Sequence, residues 1–443
     1  MRLLRIVPPN VVLRRLLAET GWTEARLARE VNAAGAETGL ALRYDRSAVS
    51  HWLAGRRPWG PVPSLLAETL SRGLRRTVTV AELGLDARRS SDTASVKLEV
   101  SAVGSYRLAA LAVPTWERAS VTSSGACSVP DPPSRLTAGQ IASAEQMAAL
   151  FDESDAAFGG GRTRVALAGY LAHDVVPLLR LAARPALRAR MFTVATQLSY
   201  LCAFMCFDDE RHALAQRYYL TALDLATENG DAPGYAIAQR ALSVQAGILG
   251  HHREALALAE DAARTGRRVL PPGRHAFFVG QLAVAQAATD DRRGALATLR
   301  TAERLHSRAD PVSAPMGGYH LAAMYHQVAE ACALLGDRAE SVTALSESVR
   351  HRPVHERRSR AVITARLAEH QLATGHLEEA VATWHAFLDD YPLLRSGRAT
   401  SALRGMRSRL RPHSGNVAVA RLLTRAATVV SSVLHPLCCD VVA

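Results

Sequence analysis

Cys202 and Cys206 stand one helical turn apart in LCAFMCF, a spacing at which two thiols can hold a metal or cycle to a disulfide. Their neighbours Phe204 and Phe207 favour another reading, in which both are small buried hydrophobes. Cys438 and Cys439 are adjacent near the end of the chain, where a bridge between them forms only with strain. His251 and His252 fall in a polar turn and read as solvated rather than metal-ligating. Gly159, Gly160 and Gly161 precede Arg162, but no Lys-Ser/Thr follows and helical segments lie on both sides. That pattern predicts a flexible interhelical turn, not a phosphate loop. No Ser-His-Asp order, HExxH, CxxC or carboxylate pair stands out, so no catalytic residue, metal or cofactor is expected. The polar set that remains is basic: Arg43, Arg46, Ser47, Ser50, His51, Arg56 and Arg57, all within fifteen residues of chain.

The elements that must carry this set are short helices. Leu13, Leu16 and Leu17 put an apolar stripe on a first helix stopping at Gly21. Thr23 caps a second, with Leu27, Ala28 and Val31 inward. After a long connection, Asn32 to Tyr44, Asp45 caps a third helix closed by Gly55. Val49, Trp52 and Leu53 turn that helix inward and leave Arg46, Ser47, Ser50 and His51 outward. A fourth helix from about 62 to 74 buries Leu65, Leu66 and Leu70. This matches a helix-turn-helix arrangement.

Charge agrees with that placement. The 443 residues carry a net charge of +12, and residues 1–89 hold 15 arginines against eight acids, or +7 of it. Lys97 is the sole lysine, a bias read as that of a GC-rich coding sequence. Apolar residues at 48% and charged residues at 21% exclude wholesale disorder, and aromatics at 5% favour helices over a β-sandwich. No window has 18 uninterrupted apolar residues and MRLLRIVPPN is no signal peptide, so a cytoplasmic chain is expected. From 90 to 135 the composition turns to Ser, Thr, Ala, Val and Pro and reads as a linker.

Beyond the linker a short turn recurs, Gly or Asp followed five residues later by Ala or Ser. The instances are Asp208…Ala213, Gly250…Ala255, Asp290…Ala295, Gly336…Ser341 and Gly375…Ala380, spaced by 42, 40, 46 and 39 residues. A second small residue follows seven later at Ala262, Ala302 and Ser348. Small residues at that spacing let antiparallel helices approach closely, as in tetratricopeptide hairpins. The predicted organisation is all-α: a helix-turn-helix domain over 1–89, a linker over 90–135, and a tetratricopeptide-like solenoid over 136–430. The arginines at 395, 398, 404, 407, 409 and 411 read as a solvated face.

The stretch TEARLAREV…YDRSAVSHWLAGRRP resembles the Cro/C1 (Xre) class of DNA-binding heads, although its connection before the third helix is longer than that class has. With FGGGRTR and LCAFMCFDDERHALAQRYYLTALDLA behind it, the chain is similar to actinobacterial, chiefly streptomycete, helix-turn-helix/tetratricopeptide regulators, which include negative regulators of differentiation and antibiotic production. The resemblance implies a transcriptional regulator of development or secondary metabolism. Arg46, Ser47 and His51 would face bases, with Ser50 flanking, and Arg43, Arg56 and Arg57 would meet phosphates. Double-stranded DNA, a second copy of the chain as homodimer, and a peptide or protein in the repeat groove are the expected partners, with no membrane. The alternative is a tetratricopeptide scaffold or adaptor whose helical head docks a protein instead of DNA.

Overall fold

The structure, a computed structural model, describes residues 9–38, 40–74, 76, 78–80, 82–85, 105–117, 135–308 and 319–434. The protein is all-α, and among the described residues only an isolated bridge between Arg135 and Ala182 interrupts helix and turn. Most of the predicted linker, together with Cys438 and Cys439, lies outside the described residues. The chain divides into two compact units, Met1–Val113 with Glu210–Arg217, and Pro114–Asp209 with Tyr218–Ala443.

The N-terminal unit is built on α1 (Val11–Glu19), α2 (Glu24–Glu37), α3 (Arg46–Leu53) and α4 (Val62–Leu74). Thr23 accepts from the Arg26 N–H and Asp45 from the Ala48 N–H, each satisfying an otherwise orphaned donor at a helix start. Leu13, Leu16, Leu27, Val31, Val49, Leu65, Leu66 and Leu70 are buried in one core with Trp52 and Leu53. The second helix runs on to Glu37 instead of ending near Val31, so the connection to α3 is shorter than the sequence implied. It folds back onto α2: a Cβ on Gly35 would lie 2.5 Å from the Leu42 side-chain end, so any larger residue there would have to move Leu42 aside. The Asn32 side chain pairs with both backbone groups of Tyr44, donating to its C=O at 2.8 Å and accepting from its N–H at 2.9 Å.

The second unit opens with α5 (Ala138–Phe158), α6 (Gly160–Tyr170), a π-wound turn over Leu171–Val175, and α7 (Val176–Leu179). Helices α8 (Pro185–Asp208) and α9 (His212–Glu228) follow, α9 starting inside the stretch assigned to the N-terminal unit. Four helical hairpins come next: α10 (Ala232–Ile248) with α11 (His252–Val269), and α12 (Pro272–Ala288) with α13 (Arg292–His306). Then come α14 (Leu321–Leu334) with α15 (Arg338–Arg350), and α16 (Arg357–Ala373) with α17 (Leu377–Asp390). Helices α18 (Gly397–Leu410) and α19 (Val417–Leu434) end the array. Among the described residues one helix, α8, is long and apolar enough to cross a membrane, and 78% of its apolar window is buried inside the protein, which is the pattern of a core helix.

Each hairpin turns on a residue with positive φ: Gly250 at +83°, Asp290 at +63°, Gly336 at +84° and Gly375 at +89°. The residue after it donates its N–H five residues back, as His251 does to Ala246 and Asp337 to Cys332, closing the first helix. Ala255, Ala295, Ser341 and Ala380, five residues on, are fully buried where the helices approach. The earliest turn departs from the predicted register, because its left-handed residue is Glu210, not Asp208. The corresponding small residue is therefore Ala215, and the first spacing becomes 40 instead of 42.

Candidate functional sites: the polar face of α3 and the inner face of the repeats

In the head, all seven residues expected to meet DNA are exposed. Arg46, Ser47, Ser50 and His51 occupy the outer face of α3, opposite buried Val49, Trp52 and Leu53. Several are already engaged. The Arg46 Nε stands 3.6 Å from Glu24 Oε2, and Ser47 donates to Asp45 Oδ1 at 2.7 Å. That bond, with the Ala48 N–H, holds the Asp45 carboxyl below the ordinary carboxylate range. Arg57 donates to the Leu85 carbonyl, so its guanidinium is tied to the domain. Beside them Trp59 is 82% exposed.

A feature that the sequence reading did not anticipate lies between α2 and α4. Arg72 is gripped by Glu37 through two 2.8 Å bonds and by Glu68 at 2.9 Å. Burial would lower the Arg72 pKa, but these two carboxylates raise it overall. The same cluster holds the segment around buried Tyr106, whose carbonyl accepts from Arg72 at 3.2 Å, while the Leu108 N–H donates to Glu68.

In the second unit, the first helices of successive hairpins touch one another, α10 to α12 and α12 to α14, while the second helices are splayed. An array packed this way curves with its first helices inside. Those helices carry half-buried residues at helical spacing on otherwise buried surroundings: Tyr200 and Phe204 on α8, Arg240 and Val244 on α10, Phe277 and Val284 on α12, His326 and Glu330 on α14. Arg240 lies with its guanidinium carbon 3.4 Å from the Phe277 ring centre, and its Nε donates to the Phe277 carbonyl at 3.3 Å. Tyr319 packs 5.2 Å from Phe277 and donates to Gln327. Glu330 accepts two bonds of 3.3 Å from Arg366 of α16. Burial pulls His326 down to about 4, helped by Arg352, Arg366 and Arg398 and opposed by Glu330.

The last helices of this unit return to its first. Arg358 of α16 bonds buried Asp155 of α5 at 3.1 Å, and Arg398 of α18 bonds Asp208 of α8 at 3.0 Å. Phe204 lies under both guanidinium groups. The Gly159–Gly161 turn is part of this closure and is pinned rather than flexible. Arg395 accepts from the Gly161 N–H at 2.8 Å, its own N–H bonds Phe158 O at 2.7 Å, and a Cβ on Gly160 would lie 2.6 Å from Met205 Cα. Arg398, predicted to be solvated, is thus a buried-side partner, and Arg409 pairs with Glu369. Cys202 and Cys206 are fully buried; a bond from Cys202 and burial push the Cys206 thiol up, away from reactivity. Among the described residues no three His, Cys, Asp or Glu side chains gather as metal ligands.

These features define a helical-repeat protein with a separate N-terminal helical unit. Residues 13–86 match the SP15 N-terminal domain family, which covers the head alone. No curated protein matches the chain. Among solved structures it is similar to a Podosopora anserina putative kinesin light chain with nearly identical TPR-like repeats, at 18% identity and a TM-score of 0.33, over 45% of this chain and 96% of that one. At that level of similarity the repeat assignment stands on the hairpins themselves.

Proposed function

We propose that the protein is an interaction scaffold of the cytoplasm whose repeat unit receives a polypeptide partner and whose head docks a second protein. The observation that carries this reading is the inner stripe of aromatic and charged side chains on helices that are otherwise buried; repeat arrays use such surfaces for extended partners. The head adds Trp59, an exposed residue of the type that anchors protein interfaces. Affinity capture with the full chain and with Phe277→Ala, followed by rebinding of purified partners, tests it. A partner should bind directly and lose affinity with Phe277→Ala, whereas equal binding would place the contact elsewhere.

A second reading, the DNA-binding regulator implied by the streptomycete resemblance, is favoured by the fully exposed polar face of α3. On that reading a homodimer presents two heads to half-sites about one helical turn apart. Arg46 would leave Glu24 for a base, and Arg56 and Arg43 would meet phosphates. Selection from random duplexes tests it. A selected site bound about 1–3 kcal/mol more weakly by Arg46→Ala supports the regulator, and failure to enrich any duplex removes it.

A further inference from the structure

The arginines around the inner face of the repeat unit fall into two kinds. Arg352 is neutralised by Glu356 at 2.7 Å, Arg358 by Asp155 at 3.1 Å, Arg366 by Glu330 at 3.3 Å and Arg398 by Asp208 at 3.0 Å. Arg240 has no such partner: among the described residues no carboxylate forms an ion pair with it. It is also the sole charged residue of α10, APGYAIAQRALSVQAGI. Burial draws its pKa down to about 10, with the hydroxyls of Tyr200, Tyr319 and Tyr219 opposing. A half-buried cation without a counter-charge is partly desolvated and uncompensated, and an anion reaching its open side would complete it.

We propose that Arg240 receives a carboxylate from an acidic segment of a polypeptide lying along the inner face of the repeats. The proposal rests on the scaffold reading and names the chemistry of its partner. One edge of the guanidinium is committed, because Nε donates to the Phe277 carbonyl and the plane lies against the Phe277 ring. The two terminal nitrogens remain, a fork that suits the two oxygens of a planar carboxylate. A single unpaired cation fits a monoanion; a nucleic-acid backbone would need several, and the neighbouring arginines are already paired. Half-buried Tyr200, Phe204, Val244 and Val284 continue the surface along successive helices, which suits apolar side chains flanking the acid.

The test uses the full chain, wild type and Arg240→Met, each panned against a displayed library of random dodecapeptides with an unrelated protein as control. Wild type should enrich peptides carrying Asp or Glu at a fixed place beside apolar residues, and Arg240→Met should lose that acidic preference. The best peptide, fluorescently labelled, is then titrated with its acid changed to the amide. Wild type should lose about tenfold or more in affinity, as expected for a charge-assisted bond, and Arg240→Met less than about twofold. The peptide-side change needs no altered protein, so it stands even if Arg240→Met unfolds. Enrichment without an acid preference, or equal binding of acid and amide peptides, overturns the Arg240 assignment and leaves the scaffold reading standing. Failure to enrich any peptide overturns both. Binding of a random duplex DNA pool that Arg240→Met abolishes would also overturn the proposal, by giving the cation to phosphate.

Discussion

Arg72 sits between Glu37 and Glu68 with all three side chains largely withdrawn from water, so the three charges stand or fall together. Arg72→Met leaves two buried carboxylates facing each other and is expected to destabilise the head by about 3–5 kcal/mol. Denaturant unfolding of the full chain, with hydrogen exchange in residues 9–74 to locate the change, measures it. A loss below about 1 kcal/mol would mean that the carboxylates reach water. The i,i+4 spacing of Glu68 and Arg72 announces their pair, but nothing in the sequence announces Glu37, which reaches Arg72 only because α2 lies beside α4. Arg240 is different. A lone charge inside an apolar helix is a visible anomaly in the sequence, but its missing counter-ion becomes evident only once its neighbours are placed.

At the scale of elements, the two kinds of glycine in the repeat unit should answer substitution differently. Gly336 has φ +84° and a Cβ there would meet open space, so Gly336→Val is strained by its backbone alone, without the helix crowding that the small-residue pattern suggests. A cost of about 1–3 kcal/mol is expected, with lost hydrogen-exchange protection near residues 320–350 spreading to adjacent hairpins. Gly336→Asn should recover most of it, since Asn tolerates that conformation; an Asn variant as unstable as Val would implicate contacts instead. Gly160 has an ordinary φ, and a Cβ there would press on Met205 Cα and its carbonyl, backbone atoms that cannot yield. Gly160→Ala is expected to cost about 1–3 kcal/mol by overpacking and to loosen α6 against α8, which exchange in residues 160–208 would reveal. The hairpin turns were legible because Gly-x4-Ala is local. The role of Gly160 was not, because its partner lies on another helix 45 residues away.

The whole molecule should be sensitive to acid. Burial holds His275, His306, His326 and His370 below the ordinary imidazole pKa, His326 at about 4. The unfolded chain therefore binds protons more readily, and stability is lost as pH falls from about 6.5 through the folded values. Glu356, which burial would raise but His320 and Arg352 pull to about 2, extends the loss below its unfolded value of about 4.5. Asp155 works in the opposite sense, since burial raises it and the stability it adds at low pH is lost as pH rises. Asp152, Asp224 and Asp261 are raised by burial in the same way, and Asp45, Glu117 and Glu330, held low, offset them. The four histidines then set the sign, so the melting temperature should drop between pH 7 and pH 4. His326→Gln should flatten that part of the curve, and a profile level over the same range would contradict the histidine account.

Most helix positions, the caps, the apolar faces of the head helices and the four later hairpin turns followed from residue order, because each depends on groups within about five residues of one another; the end of α2 and the earliest turn did not. Val49 with Trp52, Thr23 with Arg26 and Gly336 with Ser341 are contacts or intervals of that kind. Which helices line the inner face, that Gly159–Gly161 is clamped by Arg395, and that Arg240 meets no carboxylate among the described residues were decided by tertiary structure. Those facts join residues more than two hundred positions apart, as Gly161 and Arg395 are, and a charge becomes paired or orphaned only when the chain has closed around it.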